Sequence, residues 1–169
     1  MGTYSGPEKF TAGHDVTGFH CGKPSLDEWL TRFALINQST GMSTAFVTLF
    51  GGQIVAGYYA LATGGVAHES APGRISKGVP KHAIPVVILA RLAVHEDHQG
   101  QGIGRALLRD ALGRVNAAAD EIGIRALIIH AKDEEAKAFY MQQAEFELSP
   151  TNDLHLMLLM KDLRKALHS

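Results

Sequence analysis

Gln99-Gly-Gln-Gly-Ile-Gly104 is the stretch best suited to hold an anion. It follows an apolar run, Val86 to Val94, and a polar turn, His95 to Asp97, and it opens a helix. A strand that delivers a glycine-rich turn to a helix N-terminus aims unpaired backbone N–H groups outward, where the helix dipole also favours negative charge. Glycine lets the backbone approach a phosphate closely and take positive φ. By itself the pattern fits a structural turn as well. It is not the dinucleotide fingerprint: counted from Gly102, the third glycine position holds Leu107. It is not a P-loop either, since no Gly-Lys-Ser/Thr follows.

Other reactive side chains are sparse. His95, Glu96, Asp97 and His98 cluster before the loop and read as solvated or turn-forming residues rather than a general base. Cys21 is the one cysteine and reads as a structural thiol. Among nine histidines no H-x-x-x-H spacing occurs, so no metal site is expected. Between Ala71 and Val94 four basic residues, Arg74, Lys77, Lys81 and Arg91, stand without an acid, and Glu69 is the only acid nearby. This is either scattered solubilising charge or a local field for a polyanion.

The elements that position these residues follow from composition and pattern. At 169 residues, 46% hydrophobic and 20% charged, the chain suits one globular domain, read as residues 1–169. A net charge of −1 gives no overall attraction to nucleic acid. One cysteine excludes an internal disulfide, and MGTYSGPEKF lacks the apolar core of a signal peptide. No run reaches the ~18 apolar residues of a membrane span. A cytoplasmic location is expected.

Residues 1–20 read as irregular, with Phe10 and Phe19 as core anchors. A helix starts at Pro24-Ser25, with Ser25 as cap and Glu28 at capping-box spacing. Leu26, Trp29, Leu30, Phe33 and Ala34 form its apolar face, to about Asn37. Thr44–Phe50 and Gln53–Ala62 read as a hairpin about Gly51-Gly52, with Gly64-Gly65 ending it. Residues 66–83 connect to the central strand. The helix from Arg105 runs to about Ile122, with Gly123 ending it in the left-handed region. Ile124–Ala131 is a strand, Asp133 caps the next helix, Leu154–Met160 is a last strand, and Lys161–His168 an amphipathic tail. Crossover helices require parallel strands and the hairpin antiparallel ones, so the fold class is α/β: a mixed sheet with helices on both faces.

With the strand before it and the helix after it, Gln99-x-x-Gly102-x-Gly104 resembles the pyrophosphate loop of the GNAT acetyltransferase family. The resemblance implies a GNAT fold, splayed between the central strand and the one that follows, and acetyl-CoA as co-substrate with no metal. Leu92, Ala93 and Val94 would pair with the pantetheine arm and polarise the thioester. Backbone N–H groups of Gln99, Gly100, Gln101, Gly102, Ile103, Gly104 and Arg105 would hold the pyrophosphate. Tyr140 takes the family's catalytic tyrosine position, as acid toward the departing thiolate; read without the family, Phe139-Tyr140 is equally an aromatic core pair.

The missing base then favours an acceptor already partly neutral. An α-amine has a pKa of about 7.7–8.0, against about 10.4 for lysine. Positive residues at the mouth suit an amine carried on a polyanion. Phe19-His20-Cys21-Gly22, Leu26-Asp27-x-Trp29-Leu30, Gly57-Tyr58-Tyr59-Ala60-Leu61, Arg91-Leu92-Ala93-Val94 and Ala136-Lys137-Ala138-Phe139-Tyr140 together resemble the acetyltransferase toxins of type II toxin–antitoxin systems. That resemblance, over roughly residues 10–160, implies acetylation of the α-amine of aminoacyl-tRNA, arrest of translation, a ribbon–helix–helix antitoxin, a homodimer and no membrane. Arg74, Lys77, Lys81 and Arg91 would be the tRNA-contacting set. Other readings are an acetyltransferase of a small amine or a protein N-terminus, and an inactive acyl-CoA-binding module. One departure is Met141-Gln-Gln-Ala-Glu-Phe146, one residue longer than the family's turn and without its glycine.

Overall fold

The computed structural model describes residues 2–168. In chain order come β1 (Tyr4–Lys9), α1 (Pro24–Glu28), a π-helical turn (Trp29–Phe33), α2 (Ala34–Ser39), β2 (Thr44–Phe50), β3 (Ile54–Val66) and α3 (Gly73–Ser76). They are followed by β4 (Ile84–Val94), α4 (Ile103–Ala119), β5 (Ala126–His130), α5 (Glu134–Met141), β6 (Glu147–Ser149), β7 (Asn152–Leu159) and α6 (Met160–Leu167). The strands form one sheet in the order β1-β2-β3-β4-β5-β7-β6. β4 and β5 are parallel, whereas β1–β2, β2–β3, β5–β7 and β6–β7 are antiparallel, the mixed sheet expected from the pattern. The chain divides into two compact units: residues up to Ala62 with Arg91–Asp110, and Thr63–Ala90 with the chain from Ala111 onward.

In the first unit two adjacent tyrosines show how the helices cover both faces. Successive strand residues point to opposite sides. Tyr58 donates to the Leu26 carbonyl in α1 at 2.7 Å, while Tyr59 donates to Asp110 in α4 at 2.6 Å. The α1 face buries Phe10, Phe19, Leu26, Trp29, Leu30, Ala34, Val47 and Tyr58 together. On the other face Gly57 admits the first turns of α4. A Cβ there would stand 3.0 Å from Leu107 Cδ1, 3.1 Å from the Ala93 carbonyl and 3.2 Å from Ile103 Cγ2. In the second unit Ala71, Ile75, Ile84, Val86, Ala126, Ile128 and Met157 form a separate core.

Several sequence expectations change. Residues 4–9 are a strand rather than irregular chain; as an exposed edge containing a proline, they carry no alternating pattern to read. Ser25 does not cap α1, whose N-cap is Lys23 with no side-chain bond. Asp27 instead accepts the Cys21 N–H at 2.9 Å. The π-turn adds a residue to the helix, which swings Phe33 off the apolar face to 42% exposure. Within it the Thr31 hydroxyl donates back to the Asp27 and Glu28 carbonyls, competing with the regular ladder. Gly64-Gly65 do not end β3, which runs to Val66. Gly64 makes room for Ile88, whose Cδ1 would lie 2.5 Å from a Cβ there. Gly123 is not in the left-handed region, and α4 stops at Ala119. β6 carried no signal because three residues are too few to show alternation.

Gly57→Val would force bulk against the start of α4. The expected result is a loss of about 1–3 kcal/mol in chemical denaturation, with faster amide exchange in the first turn of α4. A wild-type midpoint would show this contact to be slack.

Candidate functional site

The β4–β5 ladder runs from Val86↔Ala126 to Leu89↔Ile129 and stops there, while β4 itself continues to Val94. Past its last residue the chain is tied down by a series of bonds within the first unit. The β2–β3 register slips between Thr48 and Leu49, and the Ala56 carbonyl left over accepts the His95 N–H at 2.8 Å. His95 Nδ1 accepts the Asp97 N–H at 3.0 Å, so its Nε2 carries the proton and donates to the Gly18 carbonyl at 3.1 Å. Both ring nitrogens are occupied, which disqualifies His95 as a base. Glu96 lies 3.1 Å from His20, and His98 Nδ1 is 2.8 Å from the Tyr4 hydroxyl. His95, Glu96 and His98 thus have local partners, while the Asp97 carboxylate is exposed to solvent.

Gln99 then fastens the loop. Its side-chain amide donates to the Val94 carbonyl at 2.9 Å and to the Cys21 carbonyl at 3.2 Å. Gly100 and Gly102 adopt φ of 79° and 81°, a region that costs any residue with a Cβ. The first α-helical bond is Ala106 N–H to the Gly102 carbonyl, at 3.1 Å. Ile103, Gly104 and Arg105 therefore offer first-turn N–H groups with no intrahelical acceptor. Ile103 is buried, while Gly100, Gln101, Gly102 and Arg105 are exposed. The turn therefore presents backbone N–H groups at the helix start from a fixed conformation.

Tyr140 belongs to the second unit. Asp133 caps α5 as expected, accepting the Ala136 N–H at 2.9 Å, with Glu134 and Glu135 in the first turn. Tyr140 is only 4% exposed, and burial pushes its phenol well above the ordinary value. It stays neutral and proton-bearing across the physiological range, and its hydroxyl has no hydrogen-bond partner among the described residues. Phe139 meets it edge-on at 5.3 Å. The altered turn after α5 closes without a glycine: Gln143 donates to the Phe139 carbonyl at 3.2 Å through its side chain, and Phe146 is buried. His130 and His155, opposite each other on β5 and β7, stack at 4.1 Å.

The four basic residues separate into different environments. Arg74 forms a two-pronged pair with Asp162, at 2.6 and 3.2 Å, with Glu147 at 3.9 Å. That leaves it the least available of the four for a phosphate. Lys77 and Lys81 are exposed. Arg91 lies in the first unit, its guanidinium 4.5 Å from the Trp29 ring centroid. Sequence reasoning missed Arg125, whose Nε donates to the Ile75 carbonyl at 3.0 Å and whose Nη2 reaches the Arg74 and Lys77 carbonyls at 3.5 Å. It closes the end of α3 and shapes the basic segment. A lone arginine at a strand entrance gives no sequence sign of that role.

Cys21 is buried, and its thiol is pushed up to about 11, first by desolvation and then by Asp27. It is no nucleophile at neutral pH. No group of three or more metal-ligating side chains occurs among the described residues, and no helix there is long and apolar enough to cross a membrane.

Residues 42–147 match the model of the acetyltransferase (GNAT) domain, and the chain belongs to this family of acetyltransferases. Within it the chain is 52% identical, over 164 residues and 97% of both chains, to a tRNA-acetylating toxin of Mycobacterium tuberculosis. Its fold resembles AtaT complexed with acetyl-methionyl-tRNAfMet, at TM-score 0.86 and 27% identity over 98% of each chain. It also resembles a tyrosine-to-phenylalanine mutant of the AtaT toxin bound to acetyl-CoA and the C-terminus of the antitoxin AtaR. That likeness has TM-score 0.81 and 26% identity over 100% of this chain and 99% of the other.

The Cys21 environment predicts slow alkylation. At pH 8 the native thiol should react with iodoacetamide at least about tenfold more slowly than in the unfolded chain, whose thiol has a pKa of about 8.5. Because the folded form resists ionisation, this group also lowers stability as pH rises from the unfolded value toward about 11. Equal labelling rates would contradict the burial.

Proposed function

We propose that this enzyme transfers the acetyl group of acetyl-CoA to the α-amine of an aminoacyl-tRNA and thereby blocks translation. The carrying observation is the end-to-end likeness, 52% identity over 97% of both chains, to a tRNA-acetylating toxin. The geometry agrees with it. The Gln99–Arg105 turn suits a pyrophosphate, with the N–H groups of Gly100, Gln101, Gly102, Ile103, Gly104 and Arg105 as its donors, whereas the Gln99 N–H already donates to the Glu96 carbonyl at 3.4 Å. Leu92, Ala93 and Val94, beyond the end of the β4–β5 ladder, have backbone groups suited to pairing with the pantetheine arm. A donor among them would stabilise the carbonyl oxygen as negative charge develops on it.

Acetyl-CoA supplies an activated thioester, so a neutral amine attacks directly and no acyl-enzyme is required. His95, Glu96 and His98 are engaged and Asp97 is exposed to solvent, which suits an α-amine acceptor, neutral in part near pH 7.7–8.0. The amine forms the C–N bond and releases its surplus proton to water, the C–S bond breaks, and Tyr140 offers its phenolic hydrogen to the departing sulfur, any proton it passes on being replaced by the one the amine released. Burial keeps the phenol protonated, so that hydrogen is available. Arg74, Lys77, Lys81 and Arg91 form the proposed RNA-contacting set, with Arg74 the weakest member because Asp162 already holds it.

We read residues 1–169 as a single acetyltransferase domain acting in the cytoplasm as a homodimer. The AtaT complexes with antitoxin AtaR support a protein antitoxin partner, and a ribbon–helix–helix protein is the form proposed.

The test is acetylation of charged tRNA from labelled acetyl-CoA. Wild-type protein should modify aminoacyl-tRNA and leave uncharged tRNA alone. Tyr140→Phe should lower kcat by about 100-fold or more, with acetyl-CoA binding unchanged. Unaltered turnover would remove Tyr140 from the mechanism. Activity on small amines but not charged tRNA would favour the non-toxin reading.

A further inference from the structure

Arg91 stands apart from the other arginines in combining partial burial with no hydrogen-bond acceptor among the described residues. Arg32, Arg74, Arg125 and Arg164 each donate to a carboxylate, an amide oxygen or a backbone carbonyl. Arg91 has no carboxylate within ion-pairing distance and no hydrogen-bond acceptor among the described residues. It is nevertheless half-buried, and desolvation pulls its guanidinium below the ordinary value. A desolvated cation without a counter-charge is costly and is retained where something compensates it.

Part of the compensation is visible. The guanidinium lies 4.5 Å from the Trp29 ring centroid, a cation–π contact. Trp29 is stacked on Tyr58 at 5.8 Å and 11°, and the Tyr58 hydroxyl is anchored to the Leu26 carbonyl. The shelf is rigid from below. A guanidinium whose face meets a ring keeps its edge donors, a fork that matches a pair of carboxylate or phosphate oxygens. Arg91 directly precedes Leu92-Ala93-Val94 on β4.

We propose that the Arg91–Trp29 shelf is a preformed clamp for an oxyanion of the acceptor substrate, a phosphodiester near the 3′ end of the charged RNA. The clamp serves the acceptor rather than acetyl-CoA because of the face it occupies. It lies with Trp29 and Tyr58, on the α1 side, whereas α4 packs on the opposite side, against Gly57 and Tyr59. A carboxylate would fit the same fork, but esterification to the ribose removes the aminoacyl α-carboxylate and leaves the phosphodiester as the oxyanion common to every charged RNA; this step rests on the tRNA reading.

Three acceptors separate the possibilities: charged tRNA, a short aminoacylated oligonucleotide that keeps the terminal phosphodiesters, and an aminoacyl-adenosine that lacks them. Arg91→Gln should raise KM about tenfold or more for the first two, with kcat and acetyl-CoA KM near wild type, and leave aminoacyl-adenosine unaffected. It should also flatten the dependence of log affinity for tRNA on log salt by about 0.7, a change that loss of packing alone does not produce. Arg91→Lys should restore the salt slope but only part of the KM, and Trp29→Phe should raise KM with the slope intact. An unchanged KM for charged tRNA in a folded Arg91→Gln variant overturns the clamp, as does an equal rise for aminoacyl-adenosine. Wild-type enzyme inactive on all three acceptors would overturn the tRNA reading itself, and the clamp with it.

Discussion

The structure depends on one strand outrunning its partner. β4 pairs with β5 only as far as Leu89↔Ile129 and then continues to Val94. Backbone N–H and C=O groups that leave a ladder must find other partners or present themselves to a ligand. The first outcome is seen here. The Val94 carbonyl is taken by Gln99 and the His95 N–H by Ala56, so the chain beyond the strand is held firmly. β4 itself runs on past the end of the ladder through Leu92 to Val94.

Holding the end of that strand organises the rest of the first unit. The register slip on β3 frees the Ala56 carbonyl, the Gly18–Cys21 segment supplies carbonyls to His95, Glu96 and Gln99, and Gly57 lets α4 approach closely. Each contact fixes where the helix N-terminus lies. The Asp97 carboxylate faces solvent, whereas His95, Glu96 and His98 are engaged in local contacts. Their unavailability as bases is a structural consequence, and it is coherent with an acceptor amine that needs little help in losing its proton.

The second unit has a different economy of charge. Arg74 and Arg125 look alike in sequence to Lys77 and Lys81, yet both work inward, on Asp162 and on the end of α3. The positive field offered to solvent is therefore smaller than the residue count suggests, and it is carried by the lysines. Tyr140, by contrast, is kept dry and neutral, the condition in which a phenol can give rather than accept a proton.

The order of elements, the mixed sheet, the glycine-rich turn before α4 and the Asp133 cap were legible in the chain because each is local. Periodicity, glycine spacing and cap chemistry act over a few residues and survive in one dimension. The motif Gln99-x-x-Gly102-x-Gly104 and the tyrosine of α5 were enough for the family. What remained hidden was set by partners distant in sequence. Phe33 points outward because Thr31 and a π-turn shift the helix by one residue, and β1 exists only because β2 supplies its hydrogen bonds. Arg74 and Arg91 are both arginines in one basic run. Only tertiary packing sets one against Asp162 and the other, desolvated, over Trp29, because which neighbour a long side chain meets is decided by the fold.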